Sequence, residues 1–193
     1  MLQKVDHICR EAAKLFARYG FEGVTMRHVA EASGVTMATL YYHFKSKEEL
    51  HDEVTQLNFE HFIGGVLVQW NGCPPPQQRP STMMALIFDA VWADPTLFLL
   101  MQHDLHNFDE GDRRSRSRKR YLQFLSLLRT AIQRYRSAEA DETEVFVLAA
   151  LITGYCELIQ ADQRTSAPGA EDFVQRHRAT MILHVQRSFE ERP

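Results

Sequence analysis

With 193 residues, the chain can fold as one good core or as a small domain joined to a larger one. Apolar residues at 45% and charged residues at 24% are ordinary for a soluble globular protein, and a net charge of −3 supplies no global basic field for nucleic acid. Residues 1–50 hold seven Lys/Arg against six Asp/Glu and the remainder fifteen against nineteen, so any polyanion must be recognised locally and by geometry.

Strand signals are nearly absent, and apolar residues recur at helical spacing, which predicts an all-α chain. Ile8, Ala12, Leu15, Phe16 and Tyr19 predict a first amphipathic helix stopped at Gly20. Thr25 is placed to cap a short helix through Ala32, with Val29 and Ala30 inward. Ser33-Gly34 breaks it, and Thr36 caps another short helix to about His43. Ser46 followed by Glu49 reads as a capping box opening a fourth helix. The stretch NGCPPPQQRP after Trp70 predicts a loop, because its prolines remove donors and fix φ. Further helices are expected at about 82–93, from Pro95 onward, and at about 113–136, 141–161 and 170–190.

Residues 25–43 thus read as helix, tight turn and helix, a pattern whose second helix enters the DNA major groove. Val29, Ala30, Val35 and Leu40 face inward, leaving Thr36, Met37, Thr39, Tyr41, Tyr42 and His43 mostly outside. Thr and Tyr hydroxyls suit phosphate oxygens, and Thr and Met methyls suit thymine methyls. Taken alone, the tyrosine pair would more often be partly buried structural aromatics.

The stretch GFEGVTMRHVAEASGVTMATLYYHFKSKEELHDEV closely resembles the DNA-binding domain of the TetR family of bacterial transcription regulators. The resemblance rests on Gly20-Phe21, Thr25, Ala30, Ser33-Gly34-Val35, Leu40 to Phe44 and Ser46 to Leu50, about the first quarter of the chain. It implies a helix-turn-helix DNA-binding domain over residues 1–50, a helical ligand-binding and dimerisation domain over 51–193, and a homodimer on an operator. It also implies phosphate contacts from Thr25, Tyr42 and Lys47. Arg27, Thr36, Met37, Ala38 and Thr39 fall at base-reading positions, with Tyr41 and His43 beside the backbone. Met37 and Ala38 lack hydrogen-bonding side chains, so recognition leans on Arg27, methyl contacts and DNA shape. The implied activity is a ligand-responsive repressor; an activator or a ligand-independent regulator is the nearer alternative.

The remaining motifs divide between bland and functional readings. His103 and His106 stand at i, i+3 beside Asp104, a spacing open to a metal-dependent enzyme, to an effector, or to a solvated helix end, which is favoured because no third ligand is assignable. The six cations of Arg113–Arg120 usually mark a solvated face, with a second phosphate contact or an anionic effector as the alternative. Methionines and aromatics from Thr82 to Arg136 are core or pocket lining, and an apolar or aromatic effector would meet Met84, Phe88, Trp92, Gln102, His103, His106 and Phe124. The resemblance places a dimer interface on the last two helices, through Val147, Leu151, Tyr155, Leu158, Met181 and Val185. No catalytic constellation, metal site or cofactor is expected. Three scattered cysteines, the lack of a signal peptide and the lack of a membrane-length apolar run predict a cytoplasmic protein without membrane attachment.

Overall fold

The computed structural model describes residues 2–74, 79–106, 112–136, 139–165 and 170–187. The chain is all-α, and among the described residues there is no strand. The helices are α1 Leu2–Tyr19, α2 Met26–Ala32, α3 Met37–His43, α4 Lys47–Gly72, α5 Pro80–Ala93, α6 Thr96–His106, α7 Asp112–Arg136, α8 Glu142–Thr165 and α9 Ala170–Val185. They form two compact units. Residues 1–62 and 96–120 make the first, and 63–95 and 121–193 the second, so α4 and α7 each supply residues to both. The first unit therefore extends beyond the division at residue 50 read from the sequence.

In the first unit, α1 buries Ile8, Cys9, Ala12, Ala13 and Phe16, a stripe at helical spacing. Tyr19 departs from the expected stripe: it is exposed at the helix end, where the Arg18 guanidinium lies 5.2 Å from its ring centroid. The Gly20 N–H closes the helix on the Phe16 carbonyl at 2.9 Å. Val29, Ala30, Leu40, Phe44, Leu50 and Val54 complete one core with this stripe, and Leu100 of α6 joins it. Gly23 is needed for a close approach, since a Cβ there would stand 2.4 Å from the Tyr19 carbonyl oxygen.

In the second unit, α5 packs against α8 and α9, and α8 against α9. The unit buries Trp70, Met83, Met84, Ile87, Phe88, Phe124, Leu128, Leu148, Ile152 and Tyr155. The rings of Phe88 and Tyr155 lie 4.0 Å apart between centroids, and Arg178 of α9 reaches Asp89 of α5 at 2.6 Å. α4 continues through Asn71 and Gly72 before the prolines stop it, and α5 starts earlier than expected, with Pro80 at a first-turn position that needs no N–H. α8 likewise runs on to Thr165.

Candidate nucleic-acid interface

Local capping builds the helix pair. Thr25 Oγ1 accepts the His28 N–H at 3.2 Å, and His28 Nδ1 accepts the Thr25 N–H at 3.4 Å, a reciprocal cap on α2. The Ser33 hydroxyl donates to the Val29 carbonyl at 2.6 Å, and Gly34 turns the chain at φ 64°, where an L side chain would be strained. The Val35 N–H donates back to the Ala30 carbonyl at 3.0 Å and closes the turn. Thr36 Oγ1 then accepts the Thr39 N–H at 3.1 Å and caps α3.

Leu40 is the anchor of α3 and is fully buried. Fixing that one residue inward leaves Thr36, Met37, Ala38, Tyr41 and Tyr42 exposed and Thr39 and His43 half-buried. Tyr42 is 73% exposed, too much for a structural aromatic, with its ring edge-to-face on His43 at 5.0 Å. Thr25 and Arg27 are exposed on α2 and its cap. Arg27 is held by Glu31 at 2.8 Å, and that hydrogen bond and charge raise its pKa. Glu31 stands at i, i+4 to Arg27, the helical spacing at which such a pair forms. The exposed residues of α2, its cap and α3 offer hydroxyls, methyls and the Arg27 guanidinium, the chemistry of a DNA groove.

The fourth helix opens with a displaced box. The Glu49 N–H donates to Ser46 Oγ at 3.2 Å, but the Glu49 carboxylate accepts the Lys45 N–H at 2.6 Å, one residue earlier than the expected reciprocal bond. Lys47 is only 21% exposed: Nζ donates to the Phe21 carbonyl at 3.0 Å, lies 4.0 Å from the Phe21 ring centroid and stands 3.9 Å from Glu22. His51, one turn on, is buried edge-to-face against Phe16 and Phe21.

The other sequence expectations scatter. Met84, Phe88 and Phe124 are buried in the second unit, and Trp92 is half-buried. The side chains of Gln102, His103, Asp104 and His106 lie outside the described residues, as does that of Leu158. Among the described residues no group of three His, Cys, Asp or Glu could hold a metal ion, and no helix is long and apolar enough to cross a membrane. Tyr155 and Val185, expected at the dimer face, are fully buried within one chain, Tyr155 because its ring turns inward onto Phe88. Val147 is exposed, and Leu151 and Met181 are half-buried. Periodicity missed Phe146 and Leu183, which are large and exposed on α8 and α9. Within the basic run, Arg116 and Arg120 turn inward onto Asp52, while Arg118 and Lys119 are exposed.

The family model described as bacterial regulatory proteins, tetR family, matches residues 8–54. The HTH-type transcriptional repressor KstR2 of Mycolicibacterium smegmatis is 25% identical over 121 residues, 60% of this chain and 59% of that protein, so the match spans less than two thirds of that relative. A putative transcriptional regulator from Saccharomonospora viridis, solved with choline, superposes with a TM-score of 0.78 over 100% of both chains at 17% identity. FadR from Bacillus subtilis, solved with stearoyl-CoA, gives 0.71 over 93% of this chain and 96% of its own at 16% identity. At those identities the solved structures speak to the fold alone.

Proposed function

We propose, from the match of residues 8–54 to the tetR family model and from the repressor relative, that this chain is a TetR-family regulator: a cytoplasmic, ligand-responsive repressor that binds a palindromic operator as a homodimer. One observation carries the reading: α3 is anchored by Leu40 alone and presents Met37, Tyr41 and Tyr42 to solvent beside Thr36 and Ala38. In this reading residues 1–50 bind DNA, with Thr36, Met37, Ala38, Thr39 and Arg27 toward base edges. Thr25, Tyr41, Tyr42, His43 and Lys47 stand toward the backbone. Arg27 must first exchange Glu31 for DNA, a small cost for an exposed pair.

Residues 51–193 form the dimerisation and effector domain in this reading. Phe146 and Val147 of α8 and Leu183 of α9 support a face for a second copy, with Leu151 and Met181 half-buried on the same two helices. Buried methionines and aromatics support an apolar or aromatic effector that enters among Met84, Phe88, Trp92 and Phe124 and favours a dimer unable to bind DNA.

Footprinting of the purified chain across inverted repeats near its own gene tests the proposal. A protected two-fold site with strong salt dependence is expected. Absence of any protected site at low salt would refute the reading.

A further inference from the structure

The basic run holds a second device. Arg120 is 4% exposed, so it is no solvated cation. Its Nη2 donates to Asp52 Oδ1 at 2.5 Å and to the Asp52 carbonyl at 3.2 Å, and its Nε donates to Gln56 Oε1 at 3.2 Å. Arg116, one turn earlier on α7, brings its Nε to 2.8 Å from the same Asp52 oxygen as an ion pair. One guanidinium therefore grips two successive turns of α4, fixing both its rotation and its position along its axis.

That segment of α4 positions the DNA-facing elements. Lys47 and His51 of the same stretch hold Phe21, and Leu50 and Val54 enter the core with Leu40 of α3. Only Phe44, Lys45 and Ser46 separate α3 from α4, so a turn of α4 about its axis is passed directly to α3. Arg120 is also the last α7 residue in the first unit; Tyr121, its neighbour, belongs to the second.

We propose that Arg120, assisted by Arg116, is a positioning residue for operator binding: it holds α4 in its DNA-competent setting without touching DNA. The inference rests on the DNA-binding reading above.

Two substitutions of opposite charge separate positioning from plain electrostatics. Arg120→Met removes a positive charge and Asp52→Asn a negative one, so a purely coulombic effect on DNA would weaken the first and tighten the second. Positioning weakens both, by about tenfold, and leaves the salt slope unchanged because no phosphate contact is lost. Arg120→Lys, which keeps the charge but not the fork, should recover part of the affinity.

The measurement is fluorescence anisotropy of the full chain on its footprinted duplex over several salt concentrations, with dissociation constants corrected for active fraction by stoichiometric titration. Unchanged constants for the active fraction would make the clamp merely structural and overturn the proposal. Tighter binding by Asp52→Asn, or a slope lowered by about one unit in Arg120→Met, would overturn it as well. If Arg120→Met does not fold, Asp52→Asn carries the same decision. A wild type that binds no duplex would remove the DNA-binding reading and this inference together, whereas variants matching a wild type that binds would remove the inference alone.

Discussion

The Lys47 ammonium lies 4.0 Å from the centre of the Phe21 ring while donating to the Phe21 carbonyl at 3.0 Å. The residue that the family resemblance implies as a phosphate contact is thus first a clasp, joining the start of α4 to the turn after α1. A cation over an aromatic face and a charged hydrogen bond each contribute about 1 kcal/mol when partly buried. Lys47→Ala should lower unfolding stability by about 1–2 kcal/mol in denaturant titration, and separately flatten the operator salt slope by about one unit. A stability loss with an unchanged slope would leave Lys47 structural only.

The caps were legible because capping is local: Thr25 and Thr36 each need only a donor three residues on. The exposed side of α3 followed from Leu40 and helical spacing, and its DNA chemistry from the family resemblance. Contacts distant in sequence were not legible. Nothing near Arg120 names Asp52, 68 residues earlier, so the basic run read as a solvated face. α8 is apolar around most of its circumference, and periodicity cannot say which side meets α5 and which is left exposed. Tyr155 packs its ring, tilted, against Phe88 inside the chain, while Phe146 is exposed.

Cys9 sets an alkaline limit on stability. Burial chiefly, then the Glu53 and Asp6 carboxylates, push its thiol from 9.0 up to about 12. The folded state therefore keeps the proton that the unfolded chain releases. The stabilisation is fully present below pH 9 and is lost as pH rises toward 12. Unfolding free energy should fall by at most about 1.4 kcal/mol per pH unit across that window from this group. Cys9→Ala should remove that part of the slope; an unaltered profile would show that the thiol ionises normally.

The dimer proposal has a clean probe in Phe146, which is 62% exposed within one chain. Phe146→Glu should change monomer stability by no more than about 0.5 kcal/mol, as exposed substitutions do. In an apolar dimer face the same carboxylate would be buried unpaired and would cost several kcal/mol of association. Sedimentation at micromolar concentration should therefore show a dimer for the wild type and a monomer for the variant, with matching melting curves at dilutions where both are monomeric. A wild-type monomer would dismiss the dimer; an unaffected dimer would move the interface away from Phe146.

Gly64 and Gly65 stand together inside the 26-residue helix α4, just past the point where it leaves the first unit. Neither is there to make room: both are exposed, and a Cβ added at either would meet no other atom within 4 Å. Each glycine costs a helix interior up to about 1 kcal/mol relative to alanine, mostly through the extra freedom it gives the unfolded chain. The pair is thus an avoidable weak point in a helix whose N-terminal end is held by Lys47, His51 and the Asp52–Arg120 contact. Replacing both with alanine should raise unfolding stability by about 1–2 kcal/mol, read as a higher denaturant midpoint with unchanged slope. If the double variant is instead less stable, the two glycines serve a backbone conformation other than this straight run of helix, and α4 is not continuous through them in solution.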